Sequence, residues 1–166
     1  MTRVAAVLAI ILVVMIQTII IGRLHLLQGT ADLMLMVMAA FSLNERVSRP
    51  WIYGIIAGAL VGFISAVPDW VPIVCYLSVI LVARLFRRRV WQIPVLAMFI
   101  VTFTGTIITN LLTIGSRALD GVSIPIIDAV NLVILPSALL NMILSLPVYA
   151  ITNDFTAWMY PIEVES

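Results

Sequence analysis

The reading of this chain turns on "LPSALLNMILSLPVY", residues 135–149. The run is almost wholly apolar, as a membrane helix requires, yet it carries Pro136, Asn141, Ser145 and Pro147. Proline removes a backbone donor, and an amide in lipid needs a partner, so a segment that only had to sit in hydrocarbon would avoid both. Pro136 and Pro147 should bend the helix. A carbonyl freed by proline needs a donor, and Asn141 is close in sequence to supply one. Positions 134, 138, 141, 145 and 149 fall on one helical face. That face reads Ile134, Ala138, Asn141, Ser145 and Tyr149, small and polar, and it is shaped to dock against other helices. Whether those helices belong to this chain or to a partner is open at the level of sequence.

The rest of the chain has the same character. Its 166 residues are 63% hydrophobic and 10% charged, with a mean hydropathy of +1.21. A soluble domain is about 45–50% apolar and about 25% charged. The expectation is one integral membrane domain over residues 1–166, all-α. Six segments are apolar enough to be read as transmembrane helices: about 4–22, 27–43, 51–67, 71–86, 91–115 and 129–151. The second is weak at its start because of Gly29 and Asp32. The first, Val4 to Gly22, is longer than a signal-peptide core of about 7–15 residues and is read as a retained helix.

All nine basic residues are arginine. With the N-terminus inside, Arg3, Arg46, Arg49, Arg84, Arg87, Arg88 and Arg89 are cytoplasmic and only Arg23 and Arg117 are outside. The positive-inside rule therefore favours an N-in/C-in arrangement. The cluster Arg84, Arg87, Arg88 and Arg89 is the strongest cytoplasmic anchor and is suited to anionic headgroups of the lipid bilayer. A net charge of +1 offers no field for nucleic acid.

Nothing points to an enzyme. The single histidine, His25, lies at a helix end, and Cys75, the lone cysteine, sits in an apolar stretch as a packing residue. No metal-ligand spacing, phosphate loop or serine elbow occurs. No catalytic, cofactor or metal residue is assigned. No candidate helix carries a charge at its centre, which argues against a proton pump or ion-coupled transporter.

Four features remain. Asp32 is placed to cap the second helix or to meet a ligand or partner. Gly54, Gly58 and Gly62 form a doubled GxxxG face, a seam for packing inside the chain or for self-association. Gln17, Asn110, Asn131 and Asn141, with Thr102, Thr104, Thr106 and Thr109, suggest a polar seam between helices. Arg23, His25, Asp69, Trp70, Arg117 and Asp120 gather near the outer face, as a ligand cup, a partner contact or solvated loops.

Three stretches carry a family likeness: "ADLMLMV" (31–37), "GIIAGALVGFISAVPD" (54–69) and "LPSALLNMILSLPVY" (135–149). Together they resemble MreD, the small multi-pass subunit of the bacterial rod-shape system, or elongasome. Two departures stand out: Ala31 replaces the family's usual proline, and Asp69 arrives later than the usual acidic residue. The resemblance implies a six-helix bundle like the substrate-binding (S) components of energy-coupling-factor importers, in the bacterial cytoplasmic (inner) membrane. It implies a non-enzymatic scaffold for cell shape and peptidoglycan synthesis. Its partner would be MreC, a single-span periplasmic protein, with RodA and its transpeptidase nearby and a homodimer within the assembly. Gly54, Gly58, Gly62, Asp32, Pro136, Asn141, Pro147 and Tyr149 are the candidates for helix packing within the chain or for a partner interface. The alternative is a true S component binding a vitamin-like substrate. Ala5 and Ala9 support it, because such subunits meet their coupling partner through an Ala-x-x-x-Ala face.

Overall fold

A computed structural model describes residues 2–19, 25–65, 67–87, 93–122 and 125–160. Among the described residues six helices follow one another: α1 (Thr2–Ile19), α2 (Leu33–Leu43), α3 (Pro50–Ile64), α4 (Trp70–Arg87), α5 (Pro94–Leu119) and α6 (Ile126–Met159). Between α1 and α2 lies a hairpin of two-residue strands, β1 (His25–Leu26) and β2 (Gly29–Thr30), paired antiparallel. Three helices, α4, α5 and α6, are long and apolar enough to cross a membrane. They make this a membrane protein.

Helix α2 explains the arrangement. "LMLMVMAAFSL" is apolar on every side, and a helix with no polar face belongs in a core. Met34, Leu35, Met36 and Ala39 are fully buried. At 11 residues α2 is about 16 Å long, roughly half the hydrocarbon thickness. It does not have to match the bilayer, because protein surrounds it. Its neighbours are α1, α3, α4, α5 and α6, and around it α1 packs on α3, α3 on α4, α4 on α5 and α5 on α6. The ring stays open between α1 and α6.

The sequence places the start of α2 near 27, but the helix begins at Leu33. Residues 25–30 form the hairpin instead, turning through Leu27 at φ +57°. The reason lies in α6. Pro136 has no N–H, so the Leu132 carbonyl loses its helical partner. The helix widens into a π-turn over Ala129–Ile134, and the Leu135 N–H reaches back to the Val130 carbonyl. Gln28 N–H donates to the freed Leu132 carbonyl at 3.1 Å. The expected donor, Asn141, is engaged elsewhere. Gly29 fits because a Cβ there would lie 2.7 Å from Pro136 Cβ and 2.6 Å from the Ser137 nitrogen. Pro147, in contrast, is exposed within a helix that runs on to Met159.

Other helix boundaries move as well: α3 ends at Ile64, short of the expected 67. The fifth helix continues past 115 to Leu119. The last helix starts at Ile126 and passes the expected end at 151, because Thr152, Thr156 and Met159 continue its buried stripe.

The arginines tie one end of the bundle. Arg84 donates to the carbonyls of Val47 and Ser48 at 2.9 and 3.0 Å, and Arg87 to that of Asn44 at 3.4 Å. Arg46 reaches the Ala157 and Tyr160 carbonyls, each at 3.3 Å. Arg84 and Arg87 thus secure the α2–α3 connection. Arg88 and Arg89 lie outside the described residues, as does Arg23.

The glycine face of α3 meets α4. A Cβ on Gly58 would lie 2.5 Å from Ile73 Cα, one on Gly62 would lie 3.0 Å from the Asp69 carbonyl oxygen, and one on Gly54 would strike Ile80 Cδ1. The two backbones approach so closely only because no side chain intervenes. Gly115 on α5 has open space instead. Gly58→Leu should therefore destabilise the protein by about 1–3 kcal/mol or prevent folding, while Gly115→Ala should be neutral or stabilising by up to about 1 kcal/mol. Thermal unfolding of both variants in detergent checks this, and an unchanged Tm for Gly58→Leu would refute the close packing.

Candidate functional site

The N-terminus of α2 is the hub of the polar side chains. A helix start leaves backbone N–H groups without partners. Here Asp32 Oδ1 accepts from the Leu35 N–H at 2.9 Å, and Gln17 Oε1 of α1 accepts from the Met34 N–H at 2.9 Å. The Tyr76 hydroxyl of α4 donates to Asp32 Oδ1 at 3.4 Å. Asp32 therefore caps its helix, as its position before an apolar run suggests.

The segment before the cap is held by α6. Thr30 N–H donates to Ser137 Oγ at 3.1 Å and Asp32 N–H to Asn141 Oδ1 at 2.8 Å. With Gln28 on the Leu132 carbonyl, the N–H groups of residues 28, 30 and 32 all find acceptors on one helix. The period of two is that of an extended chain, whose alternate N–H groups point the same way. Asn141 spends its nitrogen as well: Nδ2 donates to Thr106 Oγ1 of α5 at 2.9 Å. It is 1% exposed and joins α2, α5 and α6. Its face is buried at Ile134, Ala138 and Ser145 and half-buried at Tyr149.

Beside this hub is a cavity of about 250 Å³ at the end of the bundle where α1, α3 and α5 finish and α2 and α4 begin. Asp32, Tyr76, Gln17, Asn110, Asn141 and Thr113 contribute its polar wall, and Val61, Val71 and Pro72 part of its apolar wall. Three of the four amides expected to form a seam meet here, whereas Asn131 is exposed on the π-turn. Of the residues expected near the outer face, Asp69, Trp70, Arg117 and Asp120 are exposed and do not line the cavity, while Arg23 and the His25 side chain lie outside the described residues. Sequence reasoning missed Tyr76 and Ser137. Tyr76 carried a signal, since a hydroxyl in the middle of an apolar helix requires a partner when buried. Ser137 carried none.

The wall offers hydroxyls, amides and one carboxyl group, which suits hydrogen bonding. Among the described residues no group of three or more His, Cys, Asp or Glu could hold a metal ion. The Cys75 thiol sits 3.9 Å from the Thr109 carbonyl.

A second concavity occupies the gap in the ring. It measures about 370 Å³ and is almost wholly apolar. Ala6, Ala9 and Leu12 of α1 form one wall, Ile151 and Phe155 of α6 the other, and Phe41 of α2 part of the floor. Neither wall was identified as a groove from the sequence, because its residues are indistinguishable there from ordinary lipid-facing ones.

No protein-family model matches the chain, no curated protein matches its sequence and no solved structure matches its fold.

Asn141→Leu removes two hydrogen bonds that cross between elements and should cost about 1–3 kcal/mol. Combining it with Thr106→Val gives a double-mutant cycle with a coupling of about 0.6 kcal/mol or more. Thermal unfolding of the two single variants and the double variant tests this; strictly additive losses would show that the Asn141–Thr106 bond contributes nothing.

Proposed function

We propose that this protein is a non-enzymatic, MreD-like scaffold of the bacterial elongasome. In this reading all six helices sit within the cytoplasmic membrane, N-in and C-in, as an S-component-like bundle that binds the single transmembrane helix of MreC. RodA with its transpeptidase would join through that complex, and a homodimer would form within the assembly.

The open flank between α1 and α6 carries this reading. Five helices surround α2 on every side but one, and at that gap the core helix lies beneath an apolar groove. Helices in lipid gain no hydrophobic drive from meeting, so association rests on close packing against small residues. Ala6 and Ala9 supply such residues on one wall. A single apolar helix is the shape that completes the ring. The glycine face of α3, in contrast, is occupied by α4 within the chain and does not offer a free self-association seam.

The polar cavity favours the second reading, an S component with a vitamin-like substrate, and Ala9 lies on the flank where such a subunit would meet its coupling partner. Native mass spectrometry of the protein purified gently from its own membranes separates the two. Co-purification of one single-span protein with a periplasmic domain supports the scaffold and gives its stoichiometry. A vitamin-sized ligand together with ATPase subunits would support the importer. Ala9→Trp should fill the groove and abolish capture of the single-span partner while leaving Tm within a few degrees of wild type. Full capture by Ala9→Trp would place that partner elsewhere.

A further inference from the structure

The end of the bundle where Arg84 and Arg87 lie holds a third concavity, an open groove of about 410 Å³ between the start of α3 and the end of α4. Ser48 and Trp51 line it from the start of α3, and Leu81, Arg84, Leu85 and Arg87 from α4. We infer that this groove is a binding site for an anionic phospholipid, whose phosphate meets Arg84 and Arg87 while an acyl chain follows Leu85 and Leu81.

The charge of the groove is not compensated by its own wall. Arg84 Nη2 donates to the Val47 and Ser48 carbonyls, and Arg87 Nη1 to that of Asn44. Carbonyls hold a guanidinium in place but leave its charge intact. Among the described residues neither arginine pairs with a carboxylate, and no acidic side chain lines the groove. Arg84 Nη1 and Arg87 Nη2 make no hydrogen bond there and remain as donors. The two residues are three apart on one helix, so their like charges face each other and repel. An anion at that face relieves the repulsion, and the planar donors of a guanidinium match phosphate oxygens.

The rest of the groove decides between a lipid and a soluble anion. Helix α4 is long and apolar enough to cross a membrane, and Leu81 and Leu85 are exposed on it. Leu81 precedes Arg87 by six residues, about 9 Å along the axis, so the apolar part of the groove runs from the charged end toward the hydrocarbon. Trp51 is partly exposed at the start of α3, and its amphipathic ring suits the headgroup level. Inorganic phosphate would use the arginines and leave the leucines without a role. Phosphatidylcholine has the chains but brings a cation to the arginines. Arginines at a membrane edge attract anionic headgroups in general. Here two of them share one groove with a tryptophan from another helix. The groove has no lining residue in common with the α1–α6 flank, so a lipid here is compatible with any occupant there.

Native mass spectrometry of the full chain in neutral detergent tests this, by titration with dioleoyl phosphatidylglycerol, dioleoyl phosphatidylcholine and inorganic phosphate. Phosphatidylglycerol should form a saturable one-to-one adduct at least about fivefold tighter than phosphatidylcholine, the equivalent of about 1 kcal/mol for an arginine near the headgroups. Inorganic phosphate should not bind at the same concentrations. Arg87→Gln should bring the two lipids to within about twofold of each other. Leu85→Glu, which keeps both arginines and their carbonyl contacts, should do the same by placing an anion in the groove. Arg46→Gln removes an equal charge from the same end, on the α6 side, and should keep the preference. Equal affinity of the wild-type protein for the two lipids would overturn the proposal, as would an undiminished preference in Arg87→Gln or in Leu85→Glu. A loss in Arg46→Gln as large as in Arg87→Gln would overturn it in favour of diffuse attraction. Inorganic phosphate bound as tightly as phosphatidylglycerol would replace the lipid with a soluble anion.

Discussion

The fold depends on an extended segment docked to a helix through alternate backbone N–H groups. Residues 28, 30 and 32 donate to the Leu132 carbonyl, Ser137 Oγ and Asn141 Oδ1. An irregular chain among apolar helices is costly unless each polar group is satisfied by protein. Here α6 supplies the acceptors. One is a backbone carbonyl released by Pro136, and the others are side chains one helical turn apart. The prolines and amide that look out of place in a lipid-facing helix therefore have different roles. Pro136 creates an acceptor and a flat seat for Gly29, Asn141 ties three elements together, and Pro147 sits exposed in an uninterrupted helix.

This docking sets the length and place of α2. Because the chain before it is already satisfied in extended form, the helix starts only after Asp32, whose carboxylate and the amide of Gln17 close its free end. A helix this short is stable in an apolar setting only when enclosed, and its uniformly apolar surface brings the other helices around it. The same geometry produces both concavities. The polar cavity lies beside the capped end, where hydroxyls and amides gather. The apolar groove lies where the ring of helices leaves α2 uncovered.

Parts of this were legible in the sequence. The spacing of Gly54, Gly58 and Gly62 signals close helix approach, since removing Cβ from one face has few other uses. The small, polar face of 134–149 signals a buried surface, and Asp32 before an apolar run signals a cap. The hairpin was not legible. Nothing local to "HLLQGT" distinguishes it from a helix start, because its conformation is stabilised by acceptors more than a hundred residues away in the chain. The arginines show a similar split. Composition marks Arg84 and Arg87 as interfacial, whereas their bonds to the carbonyls of residues 44, 47 and 48 follow from how α2, α3 and α4 meet.

The sequence by itself determined the helical, membrane-embedded character of the chain, because that follows from how much apolar surface must leave water and from the periods at which polar residues interrupt it. It also determined which faces can approach closely, because side-chain size is local. Only the tertiary structure decided which helix forms the core, which flank stays open, and that Gln17, Asp32, Tyr76, Asn110 and Asn141 share one cavity. Those outcomes depend on hydrogen bonds and packing between segments distant in the chain, and no local pattern of residues encodes the distance between them.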